Sequence, residues 1–326
     1  QFDTSSSPKI ETLVFYSSST LNLTTVTGYE TFLTNGADMP DVGTSGADTI
    51  YALDGNDYIQ TYGGAAADWI DLSTGINRAP YPVPPLSAAA WTGLPTRAAI
   101  AALHDTARTA WGITGAVLAV SGAQTAIQMI PRLTAPATAR VLAPTYNEHA
   151  ASLRAAGWQV TEVATLADLA GADLAVVVNP NNPDGNRYTP QTLLNLLPKV
   201  GRLLVDESFA DPQPAFSLCG ETGQSGLLVL RSFGKFYGLA GVRLGFILGS
   251  GPDIAALSEM SGPWPVSGAA IEIGIAALSD TAWQAATTAR LTAEAAQLDA
   301  LATAAGWTPL GGTELFRLYD TPDAAQ

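Results

Sequence analysis

A single cysteine, two histidines and only 15 basic residues in a chain of 326 each remove a class of function. Cys219 has no partner for an internal disulfide and cannot build a cysteine-based zinc cluster, which fits a reducing compartment, and it reads as a packed thiol rather than a nucleophile. His104 and His149 are too few for a histidine-rich metal site and leave little for Ser-His-Asp chemistry. Against 29 acidic residues the 15 basic ones leave a net charge of -14. A nucleic-acid backbone is gripped by clustered Lys and Arg, so nucleic acid is not the expected partner. No run of 18 apolar residues is present, and no membrane span is expected. Gln1 opens the chain without the basic and then apolar stretch of a secretory signal, so the expected location is cytoplasmic. What remains is a hydrophobic content of 47%, ample for a buried core. A globular enzyme acting on a small molecule is the reading these shortages leave.

Composition changes near residues 63–67. Residues 1–67 are rich in Ser, Thr, Gly and Asp and hold eight acidic residues against one basic residue, Lys9. Within them Gly, Asp and Ile recur at a spacing of nine, Asp48 and Ile50 being followed by Asp57 and Ile59. This resembles the nonapeptide roll of RTX proteins, in which Asp and turn carbonyls hold calcium and the aliphatic residue packs inside. About three coils are needed to bury such a core, and a third copy, opening at Gly63-Gly64, lacks its Asp. Calcium at Asp48 and Asp57 is therefore a secondary expectation beside that of an ordinary Gly/Asp turn. From Asp68 onward, short β-branched runs alternate with Ala/Leu helical stretches, the pattern of βα units around a mostly parallel sheet. The expected divisions are 1–67, a proline-rich leading segment 68–95, a large domain 96–260 and the start of a small domain at 261–326.

Chemistry concentrates after the apolar run 227–230, in Arg231-Ser232-Phe233-Gly234-Lys235 and the glycine-rich stretch that reaches Arg243 and Gly245. This resembles the Schiff-base lysine motif of fold-type I pyridoxal-phosphate (PLP) enzymes, the aspartate-aminotransferase fold. The resemblance makes Lys235 the aldehyde-binding amine, with the Ser232 hydroxyl and the Arg243 guanidinium on the cofactor phosphate. It implies an α/β architecture with a mostly parallel central sheet flanked by helices. Upstream, the buried run 203–205 ends in Asp206, where the family keeps the aspartate that pairs with the pyridine nitrogen and lets the ring act as an electron sink. Three residues later the family often has a tyrosine; here Phe209 stands there. Asn179-Pro180-Asn181-Asn182-Pro183-Asp184-Gly185 matches an Asn-Pro-x-Asn-Pro-x-Gly motif, placing Asn182 on the cofactor 3'-oxygen. The run 116–120 feeds Ser121-Gly122-Ala123-Gln124 and a helical stretch. First-turn amides point donors and a positive dipole end at an anion, so Gly122, Ala123 and Gln124 form a phosphate cradle. After the strand expected at 140–143, Tyr146 matches the aromatic residue stacked on the ring.

Trp69 to Pro84, with Gly75 and Asn77, and the run from Val205 to Pro212 together look like the threonine-phosphate decarboxylases of cobalamin biosynthesis. Histidinol-phosphate aminotransferases are the nearest relatives, and they usually carry Asn-Glu-Asn-Pro and Arg-Tyr-Pro where this chain has Gly75-Ile76-Asn77 and Gly93-Leu94-Pro95. The resemblance implies a homodimer that takes a phosphorylated amino acid, with Gly75 and Asn77 at the substrate. Reaction choice between decarboxylation and amino transfer rests on substrate orientation, which the core motifs share. A strand expected at 314–319 lies close to Gln326, so the substrate site is expected to be incomplete, and neither Arg290 nor Arg317 can be assigned by motif to a substrate carboxylate. The other readings are a non-catalytic calcium-binding protein and a recombined reading frame.

Overall fold

The computed structural model describes residues 30–32, 49–51 and 74–321. Asp48 and Asp57, the residues expected to hold calcium, lie outside the described residues. Two compact units are present, one made of residues 1–75 with 320–326, the other of Ile76–Tyr319. In the first, β1 (Glu30–Phe32) pairs in parallel with β2 (Thr49–Tyr51).

The second unit opens with α1 (Ala88–Thr92) and α2 (Arg97–Trp111). Thr96 starts α2 by accepting from the Ala99 amide at 3.1 Å, the usual N-cap arrangement. Then follow β3 (Ala116–Val120), α3 (Ala123–Met129), β4 (Thr138–Leu142), α4 (Glu148–Ala155), β5 (Gln159–Val163) and β6 (Leu174–Val178). Next come α5 (Pro190–Leu194), β7 (Arg202–Asp206), β8 (Leu227–Ser232) and β9 (Gly245–Gly249). The chain ends through α6 (Gly251–Ser261), α7 (Gly268–Ser279), α8 (Thr281–Ala304), β10 (Thr308–Gly312) and β11 (Arg317–Asp320).

Seven strands form one sheet in the order β3-β9-β8-β7-β6-β4-β5. Only β9 runs against its neighbours; β8, β7, β6, β4 and β5 pair in parallel. Leu174-Ala175-Val176-Val177-Val178 is buried along its whole length, as a central parallel strand covered on both faces must be. Alternation along β7 divides the core between those faces. Leu203 and Val205 join Leu103, Val229, Phe246 and Ile271 on one side. Leu204 joins Leu118, Val141, Leu228 and Ile247 on the other.

Strand limits depart locally from the sequence reading. β4 begins at Thr138 and ends at Leu142, because Ala139 and Val141 are held by β6 as well as by β5. The single strand expected at 314–319 is replaced by the pair β10 and β11, turned by a Thr313 amide that donates to the Phe316 carbonyl at 2.8 Å. Helix α7, from the stretch expected to open a small domain, places Ile271, Ile273 and Ala277 in the same core as the sheet. No described helix is long and apolar enough to cross a membrane.

Candidate active site

Carboxyl ends of parallel strands are where open α/β sheets gather ligands, and here the chemically capable side chains sit at those ends. Asp206 is the last residue of β7, Ser232 the last of β8, and Lys235 lies three residues further on. Gly122 caps α3 just after β3, and Tyr146 follows β4.

Asp206 is 2% exposed. Its Oδ2 lies 2.8 Å from His149 Nε2, and its Oδ1 accepts from the Ser208 amide at 2.9 Å and the Ser208 hydroxyl at 2.5 Å. Burial alone would raise its pKa, yet the His149 hydrogen bond and charge, with the two Ser208 donors, hold it below the usual carboxylate range. The site thus contains a buried carboxylate kept ionised. Lys235 is shifted the other way for an amine. Burial lowers its proton affinity and Arg243 adds to that, against the opposing pull of Asp206. Its Nζ lies 5.5 Å from the Phe209 ring centroid, and Phe209 is packed edge-to-face on Phe316 with centroids 4.8 Å apart.

Arg243 packs closely on the opening of α3. Gly122 has φ 82°, and a Cβ there would come within 2.6 Å of Arg243 Nη2. Only glycine lets the guanidinium lie against the opening of α3. The amides of Ala123 and Gln124 belong to the first helical turn, which has no internal acceptor. Ser232 is buried. Tyr146 stands edge-on to His149, with centroids 6.2 Å apart, and its hydroxyl donates to Gln124 Oε1 at 3.4 Å. Burial, then the charges of Glu148 and Asp206, push the Tyr146 phenol up to about 12, so it stays neutral. Asn182 is half-buried in its loop. Its neighbour Asn181 fixes that loop to the Tyr146 segment, accepting from Thr145 Oγ1 at 2.6 Å and donating to the Pro144 carbonyl at 3.0 Å.

Asn77 is 3% exposed, and its side chain faces the protein. Oδ1 accepts from the Ala79 amide and from Arg290, while Nδ2 donates to the Phe236 carbonyl. Gly75 is half-buried and belongs to the other unit. Arg317 is engaged by Asp299 through two hydrogen bonds. Among the described residues no cluster of metal-ligating side chains is present.

Two features escaped the sequence reading. Local sequence carries no signal for His149, the second residue of α4, because its contact with Asp206 joins residues 57 apart in the chain. Behind the site, Arg231 is fully enclosed, pairing with Glu207 at 3.1 Å and with Asp211, and lying 4.6 Å from the centroid of Trp111. Burial pushes both carboxyls up against the pull of Arg231. Glu207 also accepts from the Leu218 amide at 2.6 Å and the Ser217 hydroxyl at 2.5 Å. Glu207 therefore orients the wall behind Asp206.

The site joins a buried amine of lowered proton affinity, a carboxylate kept ionised, an aromatic ring and a helix opening against which Arg243 lies. Comparison with known proteins finds similar sequences and similar folds. The family profile for aminotransferase class I and II matches residues 94–325. A threonine-phosphate decarboxylase of Sinorhizobium sp. is 44% identical over 275 residues, covering 81% of each chain. Its counterpart in Pseudomonas aeruginosa is 43% identical, covering 79% of this chain and 80% of that one. A histidinol-phosphate aminotransferase of Mycobacterium tuberculosis is 34% identical, covering 64% and 60%. Among solved structures, the L-threonine-O-3-phosphate decarboxylase of Porphyromonas gingivalis superposes with a TM-score of 0.52 at 22% identity, over 59% of this chain and 65% of that one. Histidinol-phosphate aminotransferase of Sinorhizobium meliloti, solved with pyridoxal-5'-phosphate, gives 0.60 at 20% identity, over 67% and 65%. These structural likenesses identify the aspartate-aminotransferase-like fold. The chain belongs to the class I and II aminotransferase family.

Proposed function

We propose that this chain is a PLP-dependent carboxy-lyase that converts L-threonine O-3-phosphate to aminopropanol phosphate and carbon dioxide, a step of cobalamin biosynthesis, in the cytoplasm and as a homodimer. The observation that carries this reading is the 44% identity, over 81% of both chains, to a threonine-phosphate decarboxylase. The histidinol-phosphate aminotransferase match is weaker in both identity and coverage.

The residues present fit the cofactor. Gly122, Ala123 and Gln124 offer amides to its phosphate, joined by the Ser232 hydroxyl and the Arg243 guanidinium that Gly122 admits. Tyr146 would cover a face of the ring, and Asn182 would donate to its 3'-oxygen. Asp206, held ionised by His149 and Ser208, would keep a proton on the pyridine nitrogen. When bound, the cofactor supplies an electron sink for the pair left behind as carbon dioxide departs. Lys235 has two tasks in this reading. Its lowered proton affinity would make a neutral amine available to the aldehyde, and the same amine would deliver a proton to the substrate α-carbon. The carbon–carboxylate bond breaks, a carbon–hydrogen bond forms at the same atom, and no oxidant is needed.

Supplying O-phosphothreonine and measuring carbon dioxide and aminopropanol phosphate tests the reaction. Equimolar release of both, abolished in Lys235→Ala, is expected. Transfer of the amino group from histidinol phosphate to a 2-oxo acid without carbon dioxide release would replace this reading with the aminotransferase one.

A further inference from the structure

Lys235 sits in a loop held from behind by the segment that carries Asn77. The Asn77 amide donates to the Lys235 carbonyl at 3.0 Å, and its Nδ2 donates to the Phe236 carbonyl at 2.9 Å. Two residues of the lysine loop are therefore fixed by one asparagine. The Tyr81 amide adds a third tie, to the Tyr237 carbonyl at 2.8 Å. Gly238 makes the approach feasible: at φ 67° it lies so near that a Cβ would come within 2.5 Å of the Asn77 carbonyl oxygen.

What orients Asn77 is a charge from another element. Arg290 of α8 donates from Nη2 to Asn77 Oδ1 at 2.7 Å, and from Nη1 to Glu294 at 2.7 Å one turn along the same helix. The Oδ1 atom is buried, and its other donor is the Ala79 amide at 3.1 Å. A charged donor to a buried amide oxygen fixes which way the amide faces, and hence that Nδ2 reaches Phe236. Helix α8 braces the same loop a second time, where Trp283 stacks on Tyr237 with centroids 5.7 Å apart and an interplanar angle of 13°.

We propose that Arg290 is a positioning residue for Lys235, acting through Asn77. The chain Arg290–Asn77–Lys235 carbonyl sets the direction in which the lysine side chain leaves the backbone. This rests on the reading of Lys235 as the aldehyde-binding amine, and the test separates the two. Arg290 is about one-third exposed and its pair with Glu294 is solvated, so little global stability depends on it.

Three measurements are made on Arg290→Ala and on wild type: kcat and KM for O-phosphothreonine, the rate at which the visible cofactor band grows when apoprotein meets PLP, and the far-UV circular dichroism melt. The variant is expected to melt as wild type does, to lose about tenfold in kcat with KM within about twofold, and to form the band correspondingly slowly. Arg290→Lys, which keeps a cationic donor, is expected to recover most of the loss. Glu294→Gln is expected to leave all three readouts unchanged. Arg290→Gln carries the same test if the alanine variant does not fold. Wild-type kcat and band growth in Arg290→Ala would overturn the inference, as would a raised KM with unchanged kcat, which would mark a direct substrate contact instead. Lys235→Ala is the control. A band that persists in it overturns the Lys235 reading itself, whereas its loss there, beside normal behaviour of the Arg290 variants, overturns the positioning role alone.

Discussion

His149 and Asp206 share a hydrogen bond in a place that water barely reaches, and the two side chains govern the charge at the base of the site. Because the folded pKa of Asp206 is lowered, the folded chain binds fewer protons there than the unfolded one. Its contribution to stability is complete above the unfolded value of about 4 and is lost as pH falls through the lowered folded value. His149→Phe removes a cause of that lowering. The acid-unfolding midpoint, followed by circular dichroism, is expected to move to higher pH, and the acid limb of the kcat–pH profile to move to higher pH with it. The cradle yields a second residue-scale expectation. Gly122→Ala puts a methyl against Arg243 and strains a positive φ. Its effect should be weaker PLP binding, read as a raised Kd in a fluorescence titration, with the band position unchanged. A Kd equal to wild type would mean that the guanidinium does not serve the phosphate.

At the scale of elements, β7 and β8 carry the site and the core together. Leu204 lies in β7 two residues before Asp206, 3% exposed. Leu204→Ala is expected to cost about 2–5 kcal/mol, measured as a lowered urea midpoint with an unchanged slope. Arg231, in β8, is enclosed with two carboxyls. Arg231→Met leaves Glu207 and Asp211 buried without their cation and should cost about 3–5 kcal/mol, seen in the same experiment.

These elements also show what was legible beforehand. The run 116–120 was readable as an apolar strand because β-branched and aliphatic residues fill it without a break, and the structure has β3 there. β8 extends two residues past the apolar run because Arg231 and Ser232 are paired to Phe246 and Gly245 of β9, a neighbour that local sequence does not reveal. Similarly β10, with Pro309 and two glycines, has no strand signature; it forms because β11 pairs with it. Lys235, Asp206, Ser232 and Arg243 could be named only through the resemblance of their motifs to those of fold-type I PLP enzymes. His149, Ser208 and Arg290 could not, because each acts through a contact that only the folded chain makes.

Across the whole molecule, the compact unit Ile76–Tyr319 holds the sheet, the cradle and the amine, and the acidic net charge leaves the few cations conspicuous where they converge. Arg243 faces the α3 cradle, Arg231 stands behind it and Arg290 braces the loop from α8. Lysine is scarcer still: Lys9, Lys199 and Lys235 are the only ones in the chain. That scarcity makes one measurement decisive. The protein is incubated with PLP, reduced with borohydride, digested and mapped by mass spectrometry. The account predicts a reduced cofactor adduct on the peptide containing Lys235 and none on those containing Lys9 or Lys199. Label on Lys199 or Lys9, or no label on a protein that binds PLP, would contradict it.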